Sequence, residues 1–554
     1  MPQYMYPERF FNSYKIALPL LVFVSFFVSC EDDPKDKISK LPDTYQVFAR
    51  QLQTVLHPVD TNNKKYARTL AADVWKAYVA ADFAPVWFRV DYTPNEASDK
   101  LVAELEDIQM DGIDPERYNL SAIKKIKQKL DTTKHNTLND VIGLDTLLTR
   151  SYLAAAKDLL MGQLLPRKAD SLWFHVNDSV WDAPATLAAT KGVYRTLDAY
   201  RSDVPTYALL RNEYRRYYKL VDDTDLSNAI ASINYQKKPD SGMLENMNYV
   251  IKAELPWVQA VENDTINEAK QFVMAYQRYC GISATGKLDS NTVQHIATPV
   301  PDILKKLSAN MERVRWMQKQ FGDLYLVVDV PLMELFLRRG GANAMHMRVV
   351  VGKPERQTPS LFATMANIVI NPNWGVPPTI LKKDVVPGFE KNGKKYLASK
   401  GLKAYDKKTG HLIKTSALNV HNMRQYAYKQ APGDANSLGY IKFNLPNPWD
   451  IYLHDTPHRD DFGKRDRFLS SGCIRVQKPQ DMALYILSDL EKKKYTQEKL
   501  DDMIQTHKTR WEILNTKIPV HITYLTAFED TTGKHIQFTR DIYHRDEKLI
   551  SMLK

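Results

Sequence analysis

The sequence predicts a multidomain α+β protein with a helical N-terminal part and a mainly β C-terminal domain. Apolar residues recur at three-to-four spacing from residue 44 to about 260, as they do on one face of an amphipathic helix. From about residue 322, short runs of alternating apolar and polar residues take over, which is the pattern of half-buried strands. At 554 residues, the chain has room for roughly three or four domains of about 150 residues each.

The composition is that of a globular protein with an anionic neighbour. Hydrophobic residues make up 44% of the chain and charged residues 25%, which is enough for a substantial core. The net charge of +11 suits a membrane surface, a cell-wall polymer or a nucleic acid. Because the basic residues are spread along the chain, without an Arg-rich arm or an aromatic RNA-binding signature, nucleic acid is not predicted as a partner.

Residues 1–29 are predicted to be a lipoprotein signal peptide. Arg9 and Lys15 precede an apolar run of fourteen residues that ends at Cys30. That run is short of the ~20 residues that span a bilayer comfortably, and the layout is that of a secretory signal. Phe-Val-Ser-Cys resembles a bacterial lipobox, so we expect Cys30 to be lipidated, 30–43 to be a tether, and the protein to be anchored in the cell envelope, facing the periplasm. A plain signal peptide or an N-terminal anchor with a chance cysteine remains the alternative.

The helical part is predicted to contain a scaffold domain at 44–260 and a small three-helix unit at 261–300. The scaffold has no cluster of metal ligands or catalytic pairs. In the small unit, a helix stops at Gly281, and a Thr-Gly-Lys-Leu-Asp turn precedes the next helix. This outline and the Gln-Arg-Tyr-x-Gly-Ile helix end resemble the peptidoglycan-binding domain of many wall enzymes, although short helix–turn–helix pieces also arise by chance. Residues 301–321 are predicted to form a linking helix.

The C-terminal part, 322–545, is predicted to be a mainly β domain with an inserted segment. Gly340-Gly341 and Thr532-Gly533 each separate two strand-like runs and predict hairpins. Residues 381–429 are polar, Lys-rich and poor in strand signals. A flexible insertion beside an active site is often a lid, so we expect this segment to cap the β domain.

The segment with the clearest chemistry has a histidine nineteen positions before a cysteine. His454 ends a predicted strand, and Cys473, in a Ser-Ser-Gly-Cys turn, begins the next strand after a sixteen-residue loop. A free thiol titrates near 8.5, and an imidazole can take its proton, leaving a reactive ion pair. Gly472 leaves room for a substrate carbonyl, and the backbone N–H groups of Gly472 and Cys473 are candidates for an oxyanion hole.

Other interpretations of these residues exist. His454 and His458 have an i, i+4 metal-ligand spacing, but Pro457 and the strand pattern disfavour a metal site, and no metal or cofactor is predicted. Cys473 could instead be a buried core cysteine or pair with Cys280, which occupies an apolar helix position and is predicted to lie in the core.

Arg475 is predicted to share a strand face with Cys473, because side chains alternate along a strand. Its guanidinium could bind a carboxylate or hold the preceding loop. The functional and the structural role both remain open from the residues alone.

The His-Asp-Thr and Ser-Ser-Gly-Cys-Ile-Arg-Val segments resemble the active-site signature of L,D-transpeptidases with a YkuD-type domain. The stretches NMERVRWMQ, MRVVVGKPERQTPSL, VINPNWGVPPTILKKDVVP and LGYIKFNLPNPWDIYLHDTP resemble the large, multidomain branch of that family. The insertion at 381–429 matches its capping subdomain. The resemblance implies that Cys473 is the nucleophile and that His454 is the proton acceptor. It also implies that the backbone carbonyl of Asp455 orients His454 and that the Gly472 backbone contributes to an oxyanion hole. The substrate-binding residues that it implies are Trp374, Tyr452, Ser471 and Arg475.

The resemblance also implies a reaction. The thiolate attacks the third residue of a peptidoglycan tetrapeptide stem and expels the terminal D-alanine; a neighbouring stem's amine then resolves the thioester into a third-to-third crosslink. Family members are typically inactivated by carbapenems and need no cofactor. The implied partners are stem peptides, a membrane through the lipid anchor, and other wall-synthesis enzymes. The alternatives are L,D-carboxypeptidation, in which water replaces the amine, a different cysteine hydrolase of wall peptides, and a non-catalytic wall-binding lipoprotein.

Overall fold

The computed structural model describes residues 38–56, 69–132, 137–189, 195–234, 237, 240–257 and 266–553. The predicted signal peptide, Cys30 and the first part of the predicted tether lie outside these residues. Within them, no helix combines the length and the apolar character needed to cross a bilayer.

The first helices begin at polar capping side chains and pack around a core of their own. The side chains of Thr69, Asn95 and Thr137 accept hydrogen bonds from first-turn N–H groups that have no partner within the helix. Trp87 and Leu148 are among the buried residues that these helices enclose. The helices are α1 (Asp43–Val55), α2 (Leu70–Ala80), α3 (Glu96–Asp107), α4 (Leu120–Thr132), α5 (Leu138–Met161) and α7 (Ala183–Ala189), whereas the intervening short helix α6 (Pro166–Ala169) contributes Ala169 to the core of the β domain.

A second group of helices packs against the β domain and shares its core. The helices are α8 (Pro205–Tyr218), α9 (Thr224–Ser232), α10 (Ser241–Glu254), α11 (Ile266–Tyr279), α12 (Ser290–Ile296) and α13 (Val300–Arg315). Buried residues of these helices and of the sheet form one continuous cluster, whereas the first core extends to Tyr200. The hydrophobic cores therefore divide the predicted scaffold at 44–260 near residue 200.

The predicted linking helix is a core element of the protein. Arg313 and Arg315 of α13 are fully buried, and each is paired: Arg313 Nη1 lies 2.5 Å from Asp546, and Arg315 Nη2 lies 3.0 Å from Glu312. A buried charge is tolerated when it is paired and hydrogen-bonded. Arg315 also donates to the Asp111 carbonyl at 3.0 Å, so α13 joins the first helical group to the sheet.

The β domain is built on a sheet that closes on itself. The strands are β1 (Trp173–Phe174), β2 (Leu324–Asp329), β3 (Glu334–Arg339), β4 (Ala342–Gly352), β5 (Ser360–Ile370), β6 (Trp374–Gly375), β7 (Leu402–Asp406), β8 (Leu412–Ile413), β9 (Tyr426–Gln430), β10 (Ile441–Asn444), β11 (Leu453–His454), β12 (Phe468–Ser470), β13 (Ile474–Val476), β14 (Arg510–Thr523), β15 (Ala527–Glu529) and β16 (Ile536–Phe538). The closed order is β5-β10-β11-β13-β4-β3-β2-β14, with β14 pairing back onto β5. Closure leaves no free edge along this ring.

The two predicted hairpins are present, and one strand comes from outside the β domain. β3 and β4 flank Gly340-Gly341, and β15 and β16 flank Thr532-Gly533. β1, which follows α6 in the helical part, pairs parallel to β5 through Trp173 and Ser360. The helical and β parts are thus joined by main-chain hydrogen bonds as well as by a shared core.

The inserted segment forms a small folded unit that contains strands, although its sequence is poor in strand signals. Its four-stranded sheet has the order β6-β9-β7-β8 and begins at Trp374, ahead of the predicted start at residue 381. Phe389, Leu397 and Tyr428 are buried in a core that belongs to this unit alone. We call residues 374–430 the insert. Its helices are α14 (Pro378–Ile380), α15 (Val386–Asn392) and α16 (Lys394–Ser399); α17 (Pro479–Leu484), α18 (Gln497–Gln505) and α19 (Asp546–Met552) pack on the β domain.

The predicted three-helix unit contains α11 and α12 within its described residues. Gln277 organises the turn between them: its side chain donates to Thr285 and to the Lys287 carbonyl and accepts from Gly286 N–H. Cys280 is buried, as predicted for a core position. A peptidoglycan-binding role for this unit remains a prediction.

Candidate active site

Strand register brings five polar side chains onto one face of β10, β11 and β13. His454 pairs with Lys442 on one side and with Arg475 on the other. Tyr452 and Cys473 precede these residues by two positions and therefore face the same way. The Ile474 N–H donates to the Tyr452 carbonyl at 3.1 Å, so the ladder continues up to the thiol. We call these five residues the thiol face.

His454 is held by its own strand end. Its Nδ1 lies 2.5 Å from the carbonyl oxygen of Asp455. A carbonyl can only accept, so this contact places the proton on Nδ1 and leaves Nε2 as the basic nitrogen. Burial, followed by the charges of Arg475 and Lys442, lowers the pKa of His454 to about 3. The imidazole is therefore neutral at neutral pH and able to accept a proton.

The carboxylate of Asp455 fixes this strand end in place. It accepts hydrogen bonds from the N–H groups of Tyr440 and Thr456, at 2.9 and 2.7 Å, and pairs with Arg459 at 2.9 Å. Gly439 packs directly on this carboxylate, where a Cβ would come within 2.4 Å. The carbonyl that contacts His454 is thus part of a rigid corner.

Cys473 sits half-buried, diagonally across from His454 on the neighbouring strand. Because His454 is paired with Arg475, and Cys473 stands two residues before Arg475, the thiol and the imidazole share one face of adjacent parallel strands. The Cys473 thiol is 3.6 Å from the carbonyl oxygen of Asp450. Burial raises the pKa of this thiol, while hydrogen bonds from Tyr452 and the charge of Lys442 act in the opposite direction. The resting site is therefore a neutral thiol beside a neutral imidazole, not the ion pair that the sequence suggested.

Tyr452 connects the thiol to the insert. Burial raises the pKa of its hydroxyl, interaction with the neighbouring Cys473 thiol raises it further, and the Trp374 indole acts in the opposite direction. Its ring packs against His454, with centroids 5.6 Å apart, and the Lys442 ammonium lies 4.1 Å from the ring centroid. Trp374 and Tyr452, both predicted to line the site, are brought together with the thiol.

We expect Tyr452→Phe to raise the pKa of the Cys473 thiol further and to slow its alkylation at neutral pH by about tenfold, the worth of one hydrogen bond of roughly 1.4 kcal/mol. The ring contacts to His454 and Lys442 are retained in this variant. Alkylation rate against pH with a neutral electrophile measures the effect. Tyr440→Phe is the matched control, because its hydroxyl bonds Asp434 instead. Equal thiol titration in Tyr452→Phe and the unsubstituted protein would contradict this expectation.

Arg475 is oriented by an acid in the loop that follows His454. Its Nη1 lies 3.0 Å from Asp461, at the short helix Arg459–Gly463. The other oxygen of Asp461 lies 2.6 Å from Lys464. Arg475 therefore holds the loop and at the same time places its charge next to His454.

The Ser-Ser-Gly-Cys turn is closed by internal hydrogen bonds. Gly472 has φ +120, a region that other residues rarely adopt. Its N–H donates to Ser470 Oγ at 3.1 Å, and its carbonyl accepts from Thr358 Oγ1 at 2.7 Å. The Gly472 N–H is thus engaged in this structure, so a role in an oxyanion hole needs the Ser470 bond to open and remains a prediction.

Ser471 is tied to the insert through Arg356. Arg356 Nη1 donates to Ser471 Oγ at 2.8 Å, and its Nη2 donates to Asp384 at 2.7 Å. Asp384 belongs to the helical segment Leu381–Val385 of the insert. One guanidinium therefore bridges the turn that precedes Cys473 and the insert.

We expect Arg356→Ala and Asp384→Asn each to slow acylation of Cys473 severalfold while changing unfolding free energy by less than about 1 kcal/mol, since the pair is partly exposed. The double variant should be no slower than either single variant, because both remove the same bridge. Stopped-flow acylation and thermal unfolding measure the two quantities. Additive losses in the double variant would show that the two residues act independently.

Several site residues were not identified from the sequence. Lys442, Asp461 and Arg356 contact predicted site residues, and Asp384 holds Arg356. Of these four, Asp461 alone lies between His454 and Cys473 in the sequence. The local signals available were this acid and a lysine within the short strand Ile441–Asn444, just ahead of the His454 strand.

The described cysteines are both free. Cys280 is buried and Cys473 is half-buried, and neither is in a disulfide. Over the described ranges, no group of three or more His, Cys, Asp or Glu side chains is arranged to hold a metal ion.

The fold and the thiol face define a class of protein, a closed β-sheet domain that presents a free cysteine and a neutral histidine on one face. Residues 323–499 match the family model of YkuD, the L,D-transpeptidase catalytic domain, and residues 72–213 match a model described as a scaffold domain. A Haemophilus influenzae protein named "Putative L,D-transpeptidase" is 29% identical over 301 residues, 53% of this chain and 58% of that protein. The chain's match thus spans less than two thirds of that relative. The YkuD-type catalytic domain predicted from the motif is confirmed at residues 323–499.

Proposed function

We propose that this protein is a peptidoglycan L,D-transpeptidase of cell-wall biogenesis that works through a thioester on Cys473 and forms third-to-third crosslinks. The observation that carries the proposal is the joint placement of Cys473, His454 and Tyr452 on one sheet face, with His454 Nδ1 on the Asp455 carbonyl. The match of residues 323–499 to the L,D-transpeptidase catalytic domain supports the substrate class.

In the proposed first step, Cys473 Sγ attacks the carbonyl carbon of the third stem residue. His454 Nε2 takes the thiol proton as the S–C bond forms, because the neutral pair makes proton transfer accompany attack. Backbone N–H groups of the Gly472–Cys473 turn stabilise the oxyanion once Ser470 releases its bond. Collapse breaks the C–N bond, and the imidazolium returns its proton to the departing D-alanine amine.

In the second step, the side-chain amine of a neighbouring stem attacks the thioester. The amide C–N bond forms, the C–S bond breaks, and the proton lost by the amine reaches the sulfur through His454. Arg475 and Lys442 supply positive charge beside the reacting carbonyl, where carboxylates of the stem can bind. Trp374 and Ser471 border the donor stem, and the insert caps it.

We also propose that Cys30 carries a lipid anchor that places the enzyme at the bacterial envelope, facing the periplasm. The motif around Cys30 supports this proposal. Labelling cells with a palmitate analogue should tag the protein, and a Cys30→Ala variant should lose the label. Labelling that persists in that variant would rule out an anchor at Cys30.

The reaction is tested by incubating the purified protein with tetrapeptide-stem muropeptides and reading the products by mass spectrometry. Third-to-third dimers that depend on Cys473 support transpeptidation. Monomeric tripeptides alone would show carboxypeptidation, with water in place of the amine. If neither dimers nor tripeptides form, the proposal is refuted.

A further inference from the structure

A groove separate from the thiol face lies between the α11–α12 turn and the loop that follows His454. It encloses about 410 Å³. It is lined by residues 281–284, residues 331–334, residues 463–465 and Arg467, together with Arg348, Thr539 and Arg540. The groove thus lies where the predicted wall-binding unit meets the catalytic domain.

The groove is strongly basic. Among its described lining residues, Glu334 is the one acid, and Arg467 is bonded to it at 3.0 Å. The other basic side chains are at least partly exposed. Lys464 is also paired with Asp461 and Arg540 with Asp466, whereas Arg348 and Arg465 form no ion pair within the described residues, so these two guanidinium groups are the ones open to an anionic ligand. The basic lining residues are Arg348, Lys464, Arg465, Arg467 and Arg540.

The walls of the groove are fixed before any ligand arrives. Gly281 packs on the backbone of β16, where a Cβ would come within 2.2 Å of the Phe538 carbonyl oxygen. On the other side, buried Arg467 donates to the carbonyls of Val349 and Met333, at 3.1 and 2.9 Å. A preformed site loses less conformational entropy on binding than a mobile one.

One carboxylate joins the groove to the thiol face. Asp461 lies 3.0 Å from Arg475 of the thiol face and 2.6 Å from Lys464 of the groove. The groove and the thiol face thus meet at the loop that carries Asp461. A stem peptide of several residues in the groove can extend round this loop toward Cys473.

We propose that this basic groove binds the carboxylates of a second peptidoglycan stem and so delivers its side-chain amine to the thioester. The inference rests on the proposed function and adds where the acceptor stem is held. Stem peptides present several carboxylates and one nucleophilic amine. The cationic groove attracts the carboxylates and repels a protonated amine, which leaves the amine to project toward Cys473.

The groove predicts how the thioester is partitioned between amine and water. Arg465→Glu should lower the ratio of dimer to tripeptide by about tenfold, because one attractive charge becomes repulsive, while acyl-enzyme formation stays within about twofold. Arg465→Lys should restore most of the ratio. Lys219→Glu, the same charge change on an exposed residue outside the groove, should leave the ratio unchanged. Mass spectrometry of the products and of the intact adduct gives both quantities.

An unchanged dimer-to-tripeptide ratio in Arg465→Glu, with normal adduct formation, would overturn the inference, as would tripeptide as the sole product of the unsubstituted enzyme. Absence of any Cys473 adduct would instead refute the proposed function. The groove is then still testable by calorimetry of disaccharide-tetrapeptide binding to Cys473→Ser. Arg465→Glu should weaken this binding about tenfold, and Lys219→Glu should not. Equal binding by Cys473→Ser alone and by Cys473→Ser combined with Arg465→Glu or with Lys219→Glu would overturn a stem-specific site. So would inorganic phosphate that competes for the groove as well as the disaccharide-tetrapeptide does at the same concentration.

Discussion

Replacing Cys473 with alanine should abolish the thioester adduct and lower dimer formation by more than about 10⁴-fold, the scale on which loss of a catalytic nucleophile acts. The sulfur is the one atom of the thiol face that can form the covalent intermediate. The fold should persist, because the side chain is half-buried and small. Intact-protein mass spectrometry after mixing with donor stem, together with thermal unfolding, measures both effects.

The matched control is Cys280→Ala. Cys280 is buried in the shared core, and burial raises the pKa of its thiol well above the ordinary value. This substitution should cost some stability but leave the adduct mass and its rate of formation unchanged. If the adduct persists in Cys473→Ala and disappears in Cys280→Ala, Cys280 is the nucleophile instead.

The neutral thiol–imidazole pair changes how reactivity arises at this site. An ion pair would make the thiol reactive toward any small electrophile at neutral pH. Here burial disfavours both the thiolate and the imidazolium. Proton transfer therefore waits for a carbonyl that can receive the sulfur, which restricts reaction to bound acyl donors.

The site could be predicted from the sequence as far as local patterns reach. The Ser-Ser-Gly-Cys turn and the strand-like runs around His454 and Cys473 identify two residues and their strands. The common face of Cys473 and Arg475 follows from strand alternation, because these two residues are two positions apart. The residue opposite His454 depends on register between strands, and register is not encoded within either strand alone.

The residues that were missed reach the site through long-range pairing. Arg356 reaches both Ser471 and Asp384 only after β4, β13 and the insert have taken their places. Closure of the sheet by β14 on β5, and the addition of β1, likewise join segments far apart in the chain.

Two stretches were predicted less well because local composition was misleading there. The strands of the insert are two to five residues long, too short for an alternation that stands out in the sequence. The helix Val300–Arg315 has two arginines that look like surface residues in sequence, yet their acids, Asp546 and Glu312, make burial tolerable.

Replacing His454 with glutamine should slow acylation of Cys473 by about 10³-fold, within the range that general-base catalysis contributes. Glutamine can keep a hydrogen bond to the Asp455 carbonyl but has no basic nitrogen. The stability of the fold should change little, since the group is neutral in the native protein. His458→Gln is the matched control: it makes the same change at the exposed histidine four residues on, and it should leave the rate within about twofold. Equal losses in both variants would favour a shared metal site over a single base.

The pH profile gives the sharper test of His454. The base must be unprotonated, so activity should fall only as pH drops toward the pKa of His454, which is lowered to about 3. Between about pH 5 and 7, where an ordinary histidine loses its base form, the acylation rate should therefore stay nearly flat. Arg475→Gln removes a positive neighbour that lowers this pKa, so its acid limb should move to higher pH. An acid limb centred near pH 6.5 in the unsubstituted enzyme would contradict a buried, neutral imidazole. If the acid limb of Arg475→Gln lies at an unchanged or lower pH, Arg475 does not lower the pKa of His454.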